Sequence, residues 1–220
     1  MFGTRLIRLG MSALLLVLPV VHVGGGAAAP ASSAVEQSRF AFRGADPWGL
    51  DLERAMDAVG LAPAMTVGEA GAGDGYFTLP MARRVGPTGR VYANDISTRA
   101  LRSLERRSAA EHLDNIETVV GRVDDPLFPR HDLQLVVLVH AFHDFEKPVE
   151  WLRNLKKYLR PGATVAIIDR DPAQGGGSHF WTRERIVGYA EQAGYERVKG
   201  VFDISRHLIL VFRPRPTGAS

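Results

Sequence analysis

Three glycines, Gly71, Gly73 and Gly75, follow a short apolar run that ends in Glu69, and a second acid, Asp95, comes about twenty residues after the last of them. Glycine lacks a Cβ, so the chain can turn tightly there and a ligand can approach the backbone closely. An acid at that distance, at the tip of the next strand, is placed to accept hydrogen bonds from ribose hydroxyls. The spacing predicts a site for a nucleoside-containing cofactor, with Glu69, Gly71, Gly73 and Asp95 among its residues.

Charge narrows the ligand. A dinucleotide site cradles a pyrophosphate on backbone N–H groups at a helix N-terminus, and acids in that loop would repel it. Here Glu69 and Asp74 flank the loop, and Tyr76 stands where the dinucleotide fingerprint has its third glycine, because the spacing is G-x-G-x-G. S-adenosylmethionine offers ribose and adenine without phosphate and bears a sulfonium and an ammonium. The loop is therefore expected to hold S-adenosylmethionine in preference to NAD. Ile96, directly after the ribose acid, is expected to pack on adenine.

A second set of reactive side chains lies in His140-Ala141-Phe142-His143-Asp144-Phe145, just past the apolar run of residues 133–139. Open α/β sheets bind ligands at the carboxyl ends of their strands, where this segment falls. His140 is expected to touch the cofactor by position. His143 is the candidate general base, with an imidazole that titrates near neutrality and Asp144 as the neighbour to orient it. The alternative for His143 is a loop histidine packed on the cofactor. His179-Phe180-Trp181, after a glycine-rich loop, reads either as a lid carrying aromatics to the acceptor pocket or as the lead-in to a helix.

These residues need a scaffold of alternating elements. Residues 50–59 have apolar positions at helical spacing and end at Gly60, a C-cap. A strand, the glycine loop and a helix follow, then a strand over residues 90–95, a helix over 98–111 and a β-branched strand over 116–120. Residues 133–139 form a near-continuous apolar run, as in a parallel strand buried on both faces. A helix over 148–159, a strand over 164–168, a helix from the Thr182 cap to Ala193, and strands over 195–204 and 207–212 complete the domain. The last two strands are joined at Ser205-Arg206 closely enough for a hairpin, which requires an antiparallel strand. The alternation predicts an α/β fold with a mostly parallel sheet covered by helices on both faces.

At these motifs the chain resembles the class I S-adenosylmethionine-dependent methyltransferases, over about residues 52–213. Residues 69–75 resemble the family's first motif, and Ala93-Asn94-Asp95-Ile96-Ser97 its second-strand motif with the ribose acid. Residues 120–126 are similar to the adenine loop, and Tyr158-Leu159-Arg160-Pro161-Gly162-Ala163 to the turn before the fifth strand. The resemblance implies a Rossmann-like seven-stranded sheet with a C-terminal antiparallel hairpin, and methyl transfer to a small-molecule acceptor. It also implies an adenine contact from Val123 and Asp124, since Arg122 stands where many members have an acid. Asp169 and Asp171, with His140 or Asp144, raise a divalent-ion site of the kind some O-methyltransferases use; the spacing does not match that subgroup, and no metal is assigned. An exported, non-catalytic nucleoside- or S-adenosylmethionine-binding protein is the alternative function, and a NAD-linked dehydrogenase the third.

Composition and the amino-terminal segment complete the expectations. A chain of 220 residues, 45% hydrophobic and 23% charged, suits one globular domain. Arg5 and Arg8 precede an apolar run over residues 11–23 and a small-residue stretch to Ala34, the tripartite pattern of a secretory signal. Residues 1–34 are thus read as a signal peptide or uncleaved anchor, 35–49 as a lead-in whose Phe40 joins the acceptor pocket, 50–214 as the methyltransferase domain and 215–220 as a disordered tail. The expected location is export to the periplasm, with an inner-membrane anchor or the cytoplasm as alternatives. Without the two signal arginines the formal charge falls from +3 to about +1. No basic cluster with interleaved aromatics suggests a nucleic-acid partner. Cysteine is absent, which removes disulfides and thiolate metal sites.

Overall fold

The computed structural model describes residues 49–216. The expected signal segment, the lead-in with Phe40 and the end of the expected tail lie outside the described residues.

The elements in chain order are α1 (Leu52–Val59), β1 (Thr66–Ala70), α2 (Thr78–Val85), β2 (Arg90–Asp95), α3 (Thr98–Ala110), β3 (Ile116–Val120), β4 (Leu133–Val139), α4 (Pro148–Leu155), β5 (Leu159–Arg170), α5 (Arg183–Gln192), β6 (Tyr195–Ile204) and β7 (His207–Pro214). The strands form one seven-stranded sheet in the order β3-β2-β1-β4-β5-β7-β6. The neighbours from β3 to β5 are parallel, while β7 runs antiparallel to both β5 and β6. The expected α/β sheet with a terminal hairpin is borne out. The chain winds outward from β1 to β3, then returns to the other side of β1 as β4, so a crevice opens at the carboxyl ends of β1 and β4.

Local chemistry sets most boundaries. The Asp51 carboxylate accepts the Arg54 N–H at 3.1 Å and starts α1, and Gly60, at φ 77°, returns its own N–H to the carbonyls of Asp57 and Met56. Pro148 opens α4, where its missing N–H costs nothing. The helix expected to reach residue 159 ends at Leu155, because the chain tightens to a 3-10 turn over Lys156–Tyr158 and Arg160 precedes a proline. The fifth strand, expected over 164–168, begins at Leu159: Leu133 pairs with Leu159, and an irregularity then restores register at Leu135 and Thr164. At the β6–β7 turn, Ser205 and Arg206 both have positive φ, the two-residue hairpin geometry that matches strand twist.

Strand β4 explains its own composition. Leu135, Val137 and Val139 pack with α1 and α2 on one face, while Val136 and Leu138 pack with α4 and α5 on the other. Burial on both faces is why the sequence runs apolar without alternating. Strand β7 repeats the division, with Ile209 and Val211 on the first face and Leu208, Leu210 and Phe212 on the second. Trp151, 2% exposed, anchors α4 against that second face.

Candidate functional site

The glycine loop closes onto its neighbours through backbone groups. Gly71 and Ala72 donate their N–H groups to the Asn94 carbonyl, each at 2.9 Å, carrying the loop from β1 across to the tip of β2. Gly71 has φ 74°, and a Cβ there would lie 2.3 Å from Cβ of Ala141, just past β4. The Gly73 N–H donates to Oδ2 of Asp95 at 2.9 Å, while Oδ1 of Asp95 accepts the Ser97 N–H at 2.8 Å. The two features that the spacing brings together, glycine loop and acid, are thus directly bonded.

Around them lies a cleft of about 310 Å³. Five predicted residues line it, Gly71, Asp95, Ile96, Val123 and His140, together with Asn94, Arg122, Ala141, Asp144, Phe145, Glu146 and Trp151. Ile96 is 64% exposed and Val123 39% exposed, so two apolar side chains stand open in the same cleft. Glu69, Gly73, Asp124 and His143 are not among its lining residues. The Asp124 carbonyl accepts from the Asn154 amide at 2.8 Å, and its neighbour Asp125 shapes the turn, accepting from the Tyr158 hydroxyl at 2.6 Å and the Leu127 N–H at 3.0 Å. Asn94 was not singled out by sequence reasoning beyond its place in a motif. Its amide donates to the Pro126 carbonyl at 2.7 Å and ties the loop that follows β3 to β2.

Glu69 differs from its expected electrostatic role. It is 2% exposed and hydrogen-bonded to the Thr78 hydroxyl at the start of α2. Burial pushes its carboxyl up to about 8; the Thr78 bond opposes this and the nearby Asp95 charge adds to it. Near neutral pH Glu69 is therefore largely protonated. Asp74 pairs with Arg107 at 3.1 Å. The acidic residues that line the cleft are Asp95, Asp144 and Glu146.

Past β4 the chain takes a sharp turn at His140, whose φ is 50°. Its ring stacks on His207 with centroids 4.8 Å apart and lies 6.3 Å from Tyr76. His143 sits in the following 3-10 turn and is oriented by a residue other than the one expected. Its Nδ1 lies 2.7 Å from Oδ2 of Asp169, a fully buried acid in β5, whereas Asp144 approaches Nε2 only to 3.5 Å. Asp169 holds its place by accepting the Arg170 N–H at 3.0 Å. Burial works against the His143 imidazolium, but the Asp169 hydrogen bond and charge, aided by Asp144, outweigh it and raise the imidazole above its usual value. His179 and Phe180 meet the His143 ring edge-on at 4.7 and 4.6 Å. Trp181, read as part of a lid, packs edge-on against Phe142 at 5.4 Å beneath the Arg185 guanidinium and is not among the cleft-lining residues.

Comparison with known proteins agrees with this geometry. Residues 67–162 match the family model described as a methyltransferase domain. A 2-phytyl-1,4-naphthoquinone methyltransferase from Trichormus variabilis is 30% identical over 118 residues, covering 53% of this chain and 52% of that protein. The chain spans about half the length of the curated relatives it matches. Among solved structures, an S-adenosylmethionine-dependent methyltransferase from Aquifex aeolicus superposes with a TM-score of 0.69 at 22% identity, covering 82% of this chain and 96% of that one. Fibrillarin from Aeropyrum pernix, solved with natively bound S-adenosylmethionine, gives 0.55 at 17% identity over 73% and 74% of the two chains. The domain match over residues 67–162, the strand order and the bonded glycine loop and acid all agree with the expected resemblance to the class I S-adenosylmethionine-dependent methyltransferases.

Proposed function

We propose that this protein transfers the methyl group of S-adenosylmethionine to a small-molecule acceptor. The observation that carries the reading is the Asp95 carboxylate, bonded to the Gly73 N–H at the crevice between β1 and β4, with Ile96 and Val123 open beside it. Asp95 would take the ribose hydroxyls, and Gly71 and Gly73 would let the methionine portion lie against the backbone. Ile96 and Val123 would enclose adenine, with the loop containing Asp124 at its edge and His140 across the cleft. Glu69 would order the loop through Thr78.

Methyl transfer from a sulfonium is a displacement with an activated leaving group, so the protein's main task is alignment of donor and acceptor. Where the acceptor must lose a proton, His143, held by Asp169, is the group proposed to take it. A relative named for a naphthoquinone acceptor supports a small molecule as the acceptor here.

Calorimetry on the full chain with S-adenosylmethionine, S-adenosylhomocysteine and NAD tests the reading. Heat with both adenosyl ligands and none with NAD is expected. Absence of heat with either adenosyl ligand would overturn it.

A further inference from the structure

His143, Asp144 and His179 come from two separate segments, yet their ligand atoms all lie within 4.8 Å of one another. Nε2 of His143 is 3.5 Å from Oδ2 of Asp144, and Nε2 of His179 is 3.5 Å from Oδ1 of the same carboxylate. Two ligands on one tetrahedral ion, each bonded at about 2.0–2.1 Å, stand roughly 3.3–3.4 Å apart. Each imidazole therefore already stands near that distance from one oxygen of the Asp144 carboxylate, Oδ2 for His143 and Oδ1 for His179. With every ligand-atom separation within 4.8 Å, gathering the three onto one ion asks for at most about 1.5 Å of movement, and the His179 side chain, 67% exposed, has room to make it.

A second observation concerns the back of the site. Asp169, 0% exposed, holds Nδ1 of His143 at 2.7 Å. A carboxylate behind an imidazole fixes its tautomer and turns the other nitrogen's lone pair outward, the arrangement that supports a histidine ligand in metalloproteins. Here that other nitrogen, Nε2, lies 3.5 Å from Asp144, and the His179 ring meets the His143 ring edge-on at 4.7 Å.

We propose that His143, Asp144 and His179 form a binding site for one divalent transition ion at the edge of the cleft. Two imidazoles and one carboxylate suit zinc or another imidazole-loving ion better than magnesium or calcium, which prefer all-oxygen shells. Three protein ligands leave a fourth position open, and Asp144, itself a lining residue, puts that position beside the cleft. An ion there occupies the His143 lone pair, so the ion and the proton-accepting role exclude one another. With the ion bound, loss of a proton from an acceptor oxygen is promoted by coordination instead.

The test is equilibrium dialysis of the full, tag-free chain against Zn²⁺, with Co²⁺ in parallel for its visible absorption in tetrahedral surroundings. One equivalent bound is expected, with affinity falling at least about tenfold in His179→Ala and in Asp144→Asn. His112→Asn, at a distant loop, should bind as the parent does. These two site variants change exposed side chains, so folding is not at stake. No bound equivalent, or equal affinity in parent and both site variants, overturns the proposal and leaves a hydrogen-bonded cluster. Binding of S-adenosylmethionine is measured on the chelator-treated chain without zinc, so failure of the metal site and failure of the cofactor reading appear in separate experiments.

Discussion

Replacing Glu69 with glutamine tests the burial of a carboxyl in the cofactor loop. In the unfolded chain this group titrates near its ordinary 4.5, and in the folded protein near 8. Between those two values the unfolded state has released a proton that the folded state still holds, so stability must fall as pH rises. The slope for one group is about 1.4 kcal/mol per pH unit, and over the window it amounts to on the order of 5 kcal/mol. The contribution is fully present below pH 4.5 and gone above about 8. Glutamine keeps the shape and can still accept from Thr78, but has no proton to lose. Urea unfolding of both proteins from pH 5 to 9 should therefore give similar stabilities at the acid end, with the variant gaining several kcal/mol on the parent at the alkaline end. A stability difference that stays flat with pH would refute the buried, protonated carboxyl.

Three further outcomes follow from the geometry. Asp95→Ala should weaken S-adenosylmethionine binding by about 1–3 kcal/mol in calorimetry, because a charged acceptor is lost; unchanged affinity would remove it from the ribose. Gly71→Ala should abolish cofactor binding and cost about 1–3 kcal/mol in thermal unfolding, since its Cβ meets Ala141 at 2.3 Å, whereas Gly73→Ala, with nothing within 4 Å, should cost only about 1–2 kcal/mol for its positive φ. Tyr195→Phe should cost about 1–2 kcal/mol in denaturant unfolding, because the buried hydroxyl donates to the Leu152 carbonyl at 2.8 Å.

What could be read in the chain divides along physical lines. Helix α1 announces itself through Asp51, its apolar spacing and Gly60, all local signals. Strand β4 is legible because burial on both faces leaves an unbroken apolar run. The length of β5 is not, because its first residues pair only through an irregular register with β4, which no local pattern encodes. The same limit hid the partner of His143. Asp144 is adjacent in sequence, but Asp169 stands 26 residues away and reaches the imidazole only because β4 and β5 lie side by side. Glu69 shows the third kind of limit: a sequence displays a charge, while burial at the end of β1 decides whether that charge exists.

The antiparallel hairpin has a consequence for how the chain is made. Strand β7 lies between β5 and β6, so the sheet from β3 to β5 has an open hydrogen-bonding edge until the last strand emerges from the ribosome. During synthesis β5 is an unpaired, largely apolar edge, the kind that recruits strands from other chains. The matched family region ends at residue 162, inside β5. A fragment cut there would keep the cofactor loop but lose most of β5 together with α5 and β7, leaving the apolar strand β4 as its open edge. Expressed alone it should aggregate.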